Sequence, residues 1–298
     1  MRLESFGDLT TIFLSILLEA LPFVLIGVLV SSVISLFLSE DLVKRFLPKH
    51  QFFRLFTASL MGIIFPICEC CNVLITRRLI EKGVPLSVGM TFLLATPIIN
   101  PIVMASTYFA FPFMPQMVIY RFTGALVISI SVGLVIGILT KNKSSFLRPI
   151  PASAKGCSHD HSKASSPWDK VRAVIAHMID DLFIMGKYLI IGSFLAAIIH
   201  TQLSGELLMA IGRERVFSTL AMMVLAYGLS ICSEADAFVA SSFTGIFAPA
   251  SLTAFLLYGP MTDIKNTIMM LAYFKSSFVL LWLALVTVGV FLFTMIIW

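Results

Sequence analysis

Long apolar runs fill most of this chain, near residues 9–38, 52–76, 86–110, 116–140, 182–200, 216–233, 246–262 and 266–298. A helix needs about 20 residues to cross a hydrocarbon core, and most of these runs are long enough. Inside hydrocarbon the backbone must satisfy its own hydrogen bonds, so runs of this length fold as helices. Composition agrees: of 298 residues, 58% are apolar and 12% charged, against roughly 25% charged in a soluble domain. The mean hydropathy is +0.98. The expected fold is all-α and polytopic in a membrane. The first run contains Glu19 and is too long for a signal peptide, so it is read as a retained span.

Two of the runs are broken by similar polar phrases. The first is Ile67-Cys68-Glu69-Cys70-Cys71-Asn72, and the second is Ile231-Cys232-Ser233-Glu234-Ala235-Asp236. A proline follows each at the same interval, at Pro85 and Pro249. A matching phrase then ends at Pro97-Ile98-Ile99-Asn100 in one case and at Pro260-Met261-Thr262-Asp263 in the other. Upstream, Gly27–Ile34 fits Gly192–Ile199. Shared phrases in one order indicate two copies of one unit, 1–140 and 171–298. Duplicated halves with polar, proline-broken segments in matching places point to a transport site at the repeat interface.

The linker between the copies, 141–170, is basic and rich in Ser, Pro and Ala. Lys141, Lys143, Arg148, Lys155, Lys163, Lys170 and the adjoining Arg172 face only Asp160 and Asp169, an excess equal to the whole net charge of +5. A flexible segment of this kind cannot bury a core, and its charge places it in the cytoplasm by the positive-inside rule. The charge is read as setting orientation, so no nucleic-acid partner is expected.

Charge also weighs two topologies. If both motif segments cross fully, Arg2, Arg77, Arg78, Lys82 and the linker cations lie inside. Lys44, Arg45, Lys49, Arg54, Arg121, Arg213, Arg215 and Lys275 then lie outside. If the segments near 52–82 and 216–245 instead enter and leave on one side, Lys44–Arg54 and Lys275 join the linker. Only Arg2, Arg121, Arg213 and Arg215 then remain outside. The re-entrant arrangement obeys the rule better. It gives each half an odd number of crossings, inverts the second half relative to the first, and places both termini outside.

An acid at the centre of a membrane helix costs about 3 kcal/mol, so Glu69, Glu234 and Asp236 call for a reason. The candidate substrate site comprises Cys68, Glu69, Cys70, Cys71, Asn72, Cys232, Glu234 and Asp236. Cys68 and Cys232 are expected to lie close, with the acids lining one polar cavity. Proline breaks free backbone groups that grip ions or substrate, which adds Pro97, Asn100, Pro260 and Asp263. Lys187 is read either as a counter-ion to Glu234 or Asp236 or as snorkelling to the interface. Cys157, His159 and His161 in the linker form a weak metal-binding pattern. The competing reading of the motifs is a buried hydrogen-bonded network that only orders the halves.

Pro66-Ile67-Cys68-Glu69-Cys70-Cys71-Asn72, Gly83-Val84-Pro85 and Ala95-Thr96-Pro97-Ile98-Ile99-Asn100-Pro101 resemble the YraQ-type predicted permeases. That family includes the ArsP trivalent organoarsenical efflux permeases. The resemblance covers nearly the whole chain, and within the family it is closer to the Gram-positive members. It implies a multi-pass plasma-membrane permease with cysteines at its core; in the arsenical branch those cysteines handle thiophilic As(III) compounds, which maps here onto Cys68, Cys70, Cys71 and Cys232.

Chemistry bounds the cargo separately. Soft thiolates prefer Cu(I), Zn(II) or As(III), whereas nearby acids suit proton coupling or a cationic cargo. There is no Walker A sequence, hence no ATPase motor of the chain's own, and no cofactor is expected. A membrane thiol oxidoreductase is the alternative, against which stands the absence of a C-x-x-C. The expected partners are the lipid bilayer, a small-molecule or ion substrate, and a second membrane subunit or another copy.

Overall fold

Among the described residues, 4 helices are long and apolar enough to cross a membrane. Their apolar stretches are Leu9–Leu29, Gln116–Leu139, Met178–Ile198 and Ser276–Ile297. The computed structural model describes residues 2–37, 48, 50–64, 69–140, 146–147, 167–202 and 214–298. No strand occurs among them, only two isolated bridges, Leu147 with Phe274 and Thr244 with Phe247. The chain is an all-α, multi-pass membrane protein.

The first part of the chain builds α1 (Arg2–Phe37), α2 (Gln51–Leu60, continuing as a 3-10 turn over Met61–Ile63), α3 (Glu69–Glu81), α4 (Leu86–Ala95), α5 (Pro101–Ala110) and α6 (Gln116–Leu139). After the linker come α7 (Pro167–Gln202), α8 (Arg215–Leu229), α9 (Asp236–Ser242), α10 (Pro249–Met261), α11 (Ile264–Tyr273) and α12 (Ser276–Ile297). The matched prolines do matching jobs. Pro85 is the N-cap of α4, and Pro249 opens α10, where a missing N–H costs nothing. The next polar breaks are also capped alike. Asn100 Oδ1 accepts from Ile102 N at 3.0 Å, and the Asp263 side chain accepts from Asn266 N. One break falls later than the sequence suggested: α10 runs through Pro260 and ends at Met261.

Side-chain neighbours give the helix directions. Gln51 and Ser87 both abut Gly137, and farther along Gly62 abuts Thr96 and Ile99, so α2 and α4 run parallel. The chain must therefore turn back between them, and α3 is the returning limb. Asn72 Nδ2 donates to Leu93 O at 2.8 Å, while Ile80 packs on Gly89. The second part repeats this. The Ser218 and Ser251 hydroxyls are 2.7 Å apart, and Ala226 lies against Gly259, so α8 and α10 are parallel and α9 lies on the return.

The two hairpins open toward opposite ends. The open end of α2–α3 lies beside Gly137, next to the linker. Lys275 N donates to Phe146 O at 3.0 Å on that same end. The open end of α8–α9 lies by the tail of α12, where Arg215 Nη2 donates to Met295 O at 3.2 Å. Two pairs of long helices run antiparallel. Phe13 meets Phe194 while Ser31 meets Asp181, setting α1 against α7. Tyr120 meets Trp298 at 4.9 Å while Ile128 meets Gly289, setting α6 against α12.

Membrane-impermeant thiol labelling of right-side-out and inverted vesicles tests these directions. Gln51→Cys, Lys82→Cys and Lys275→Cys are expected to label from the linker face. Arg215→Cys and Thr244→Cys are expected to label from the other. Labelling of positions 51 and 82 from opposite faces would mean that α2 and α3 cross the bilayer.

Candidate functional site

The ends of α2 and α8 each lie against a helix break, at Thr96–Ile99 and at Ile264. Ser230 caps α8 in the left-handed region, with φ 48, a conformation uncommon outside glycine. Its hydroxyl accepts from Ile264 N at 3.1 Å and donates to Tyr227 O at 3.1 Å. The second motif is thereby tied to the start of α11. In the first half, Gly62 lets the end of α2 close onto Thr96 and the Ile99 carbonyl. A side chain there would collide with backbone.

Acids from both motifs gather at these ends. Glu69 begins α3 and is 2% exposed. Its Oε2 has no hydrogen-bond partner among the described residues. The charges that bear on it are those of Lys265, Asp263 and Glu234, all from the second half. Glu69 in turn bears on Cys232, whose Sγ donates to Glu19 Oε1 at 2.7 Å. Buried Lys265 places its ammonium 3.7 Å from Asp263 Oδ2. Sulfur, carboxylates and one ammonium therefore converge from α1, α3, α11 and the Cys232 turn.

Asp236 has a different environment. It forms an ion pair at 2.7 Å with Arg121 of α6, and both are buried. Arg121 also donates to Thr107 Oγ1 at 2.8 Å and to Ser233 O at 3.1 Å. Counting charges by position had put Arg121 outside the membrane; the structure buries it completely within a span. The missed signal was the motif acid itself, which required a cation from elsewhere in the chain. Lys187 does not supply it. That side chain is exposed, with its ammonium 5.9 Å from the Tyr188 ring centroid. The ammonium among the acids is that of Lys265.

The remaining candidates divide. Cys71 is fully buried where α3 meets Gly27 of α1, a contact that leaves no room for a side chain at 27. Asn72 holds α3 to α4 through Leu93 O. Pro97 lies in the turn between α4 and α5, and Asn100 caps α5. Cys68, the Cys70 side chain, and Cys157, His159 and His161 lie outside what the structure describes. Among the described residues, no three His, Cys, Asp or Glu side chains form a group suited to a metal ion.

A second charged cluster sits nearer the linker. Arg78 Nη2 pairs with Asp181 of α7 at 2.7 Å, and Ser31 Oγ of α1 donates to the same carboxylate at 3.4 Å. Arg77 pairs with Glu81 at 2.8 Å and donates to Tyr273 O at 3.2 Å.

Comparison with known proteins adds the family. The family described as "Predicted permease", ArsP_1, matches residues 5–298. The "UPF0718 protein YcgR" of Bacillus subtilis (strain 168) is 45% identical over 285 residues, covering 96% of this chain and 95% of that protein. A Streptococcus mutans serotype c protein named "Putative two-component membrane permease complex subunit" is 43% identical over 270 residues, covering 90% and 88%. No solved structure matches.

Breaking a buried ion pair from one side costs about 3–5 kcal/mol, because it strands the other charge. Arg121→Met is therefore expected to lower the melting temperature of the purified protein markedly. Adding Asp236→Leu should recover most of that loss. Parental melting of the single variant would show that the pair does not hold α6 to α9.

Proposed function

The chain belongs to the ArsP_1 family of predicted permeases, and on that premise we propose that it moves a small thiophilic substrate across the plasma membrane. The cargo class is a metal, a metalloid or an organoarsenical, carried without chemical change. The observation that carries this reading is the meeting of Glu69 from the first motif with Glu234, Asp263 and Lys265 from the second half, beside Cys232. One sulfur among acids suits a soft cation or a soft electrophile. The oxygen of Glu69 that lacks a protein partner supplies a group for cargo or a coupling proton.

The halves 1–140 and 171–298 act as inverted repeats joined by the cytoplasmic linker 141–170. The antiparallel pairing of α1 with α7 and of α6 with α12 supports this, as do the opposed hairpins. The motif segments re-enter rather than cross, and their inner ends bring the site to mid-depth. Non-helical backbone at that depth is tolerated where protein surrounds it. Such repeats transport by rocking one unit against the other around a fixed site. The protein works beside a second membrane subunit, as the name of the Streptococcus relative says of that protein.

The test is uptake into proteoliposomes of As(III) species, Zn(II), Cu(I) and small thiols, with and without a pH gradient. Cys68→Ser and Cys232→Ser are expected to shift preference away from soft cargo. Glu69→Gln and Glu234→Gln are expected to lose the response to the gradient while still binding. Parental transport by all four variants would make the motifs structural. Recovery of chemically altered cargo would favour a thiol oxidoreductase.

A further inference from the structure

We propose that the Arg78–Asp181 and Arg121–Asp236 ion pairs are two latches, one on each side of the site, that open alternately to expose it to one face and then the other. The proposal rests on the permease reading of the same site. Each pair joins the two halves. Arg78 on α3 reaches Asp181 on α7, and Arg121 on α6 reaches Asp236 on α9, both at 2.7 Å. In each, one partner lies on the returning limb of a hairpin and the other on a long helix of the opposite half. The pairs sit at different points on their hairpins: Arg78 lies well along α3, whereas Asp236 is the first residue of α9.

One pair lies on the linker side of the acids, and the other holds Asp236 among them. Glu69 begins α3, and Arg78 lies on the same helix toward the linker, about 13 Å farther along at the usual helical rise. Cys232 and Glu234 precede Asp236 at the inner end of the other hairpin. Beyond them Arg121 lies toward the opposite face, one and a half turns from the start of α6, where Tyr120 meets Trp298. With both pairs made, as here, Glu69 and Asp263 are buried, while Cys232 and Glu234 are half-buried.

Ion pairs suit this task better than apolar packing does. A desolvated pair adds little net stability over a hydrophobic replacement, yet it has one geometry and is costly to leave half-broken. That gives a contact with two discrete arrangements, which is what a two-state transition needs. Neighbouring groups fix which bonds must part. On the linker side, Ser31 also holds Asp181 and ties α1 to the latch. On the other side, Ser233 O and Thr107 hold Arg121, so release there frees the Cys232 turn from α6. Two such elements biased in opposite senses shift between populations with one face open and populations with the other open.

The experiment uses the full chain in right-side-out and inverted vesicles without cargo. The reporter is Thr262→Cys, a fully buried position beside Asp263, probed with a membrane-impermeant maleimide and mapped by mass spectrometry. Asp181→Asn is expected to raise labelling at 262 several-fold from the linker face only. Asp236→Asn is expected to raise it several-fold from the opposite face only. The charge-swapped pairs, Arg78→Asp with Asp181→Arg and Arg121→Asp with Asp236→Arg, should return labelling to the reporter's starting level. Any other pattern overturns the proposal, including no change, or labelling from both faces that the swaps do not reverse. Because no cargo is used, a failed transport screen leaves this readout standing. Transport with unaltered accessibility in both single variants sinks the latches alone.

Discussion

Burying carboxylates inside a helical membrane protein is the constraint around which this structure is built. Such a group costs about 3 kcal/mol to insert, and the chain buries Glu69, Asp236 and Asp263 together. The structure answers with one device used three times. Glu69 and Asp236 are the first residues of α3 and α9, and Asp263 is the N-cap of α11. Each acid therefore sits against the positive end of a helix, an interaction worth roughly 0.3–1 kcal/mol, and up to about 2 when partly buried. That is too little to offset burial alone. Arg121 pairs with Asp236, and the Lys265 ammonium lies near Asp263 and bears on Glu69. To start helices at these acids the chain must break its apolar runs there, so the polar motifs and the broken helices are parts of one solution.

That logic explains what could be read from the residues alone. The apolar runs announced helices because hydrocarbon allows little else. The matched prolines and polar breaks announced interruptions because proline and helix caps act locally. The partners of the acids were not legible. Arg121 is 115 residues from Asp236 in sequence, and beside Pro115 it reads as a loop cation. Lys265 follows its partner Asp263 by two residues, but nothing local shows that it also bears on Glu69. Lys187 lies in an apolar run, yet the fold leaves it exposed. Which lysine goes inside is decided by helix packing, which no short window of sequence contains. The place of Cys71 in the contact between α1 and α3 was not legible for the same reason.

Glycine explains one shared phrase that had no functional meaning. Gly27 and Gly192 occupy matching places in α1 and α7. Gly27 admits Cys71 of α3, and Gly192 admits Lys265 of α11, whose Cα would lie 2.9 Å from any added methyl group. Small residues let backbones approach where lipid offers no hydrophobic drive to association. The two longest helices are thus fitted closely around the helices that carry the site, and the backbone of Lys265 is held where its ammonium meets the acids.

The hydroxyl of Ser230 has a mechanical consequence. It occupies the amide of Ile264 while its own residue sits in a conformation that few side chains tolerate. The end of α8 and the beginning of α11 are therefore joined through one hydrogen bond, worth about 1 kcal/mol net. Displacing α8 would stretch that bond, and the helix at its other end carries the lysine seated near the carboxylates. The second hairpin thus leans, through a single oxygen atom, on the helix that holds the charge.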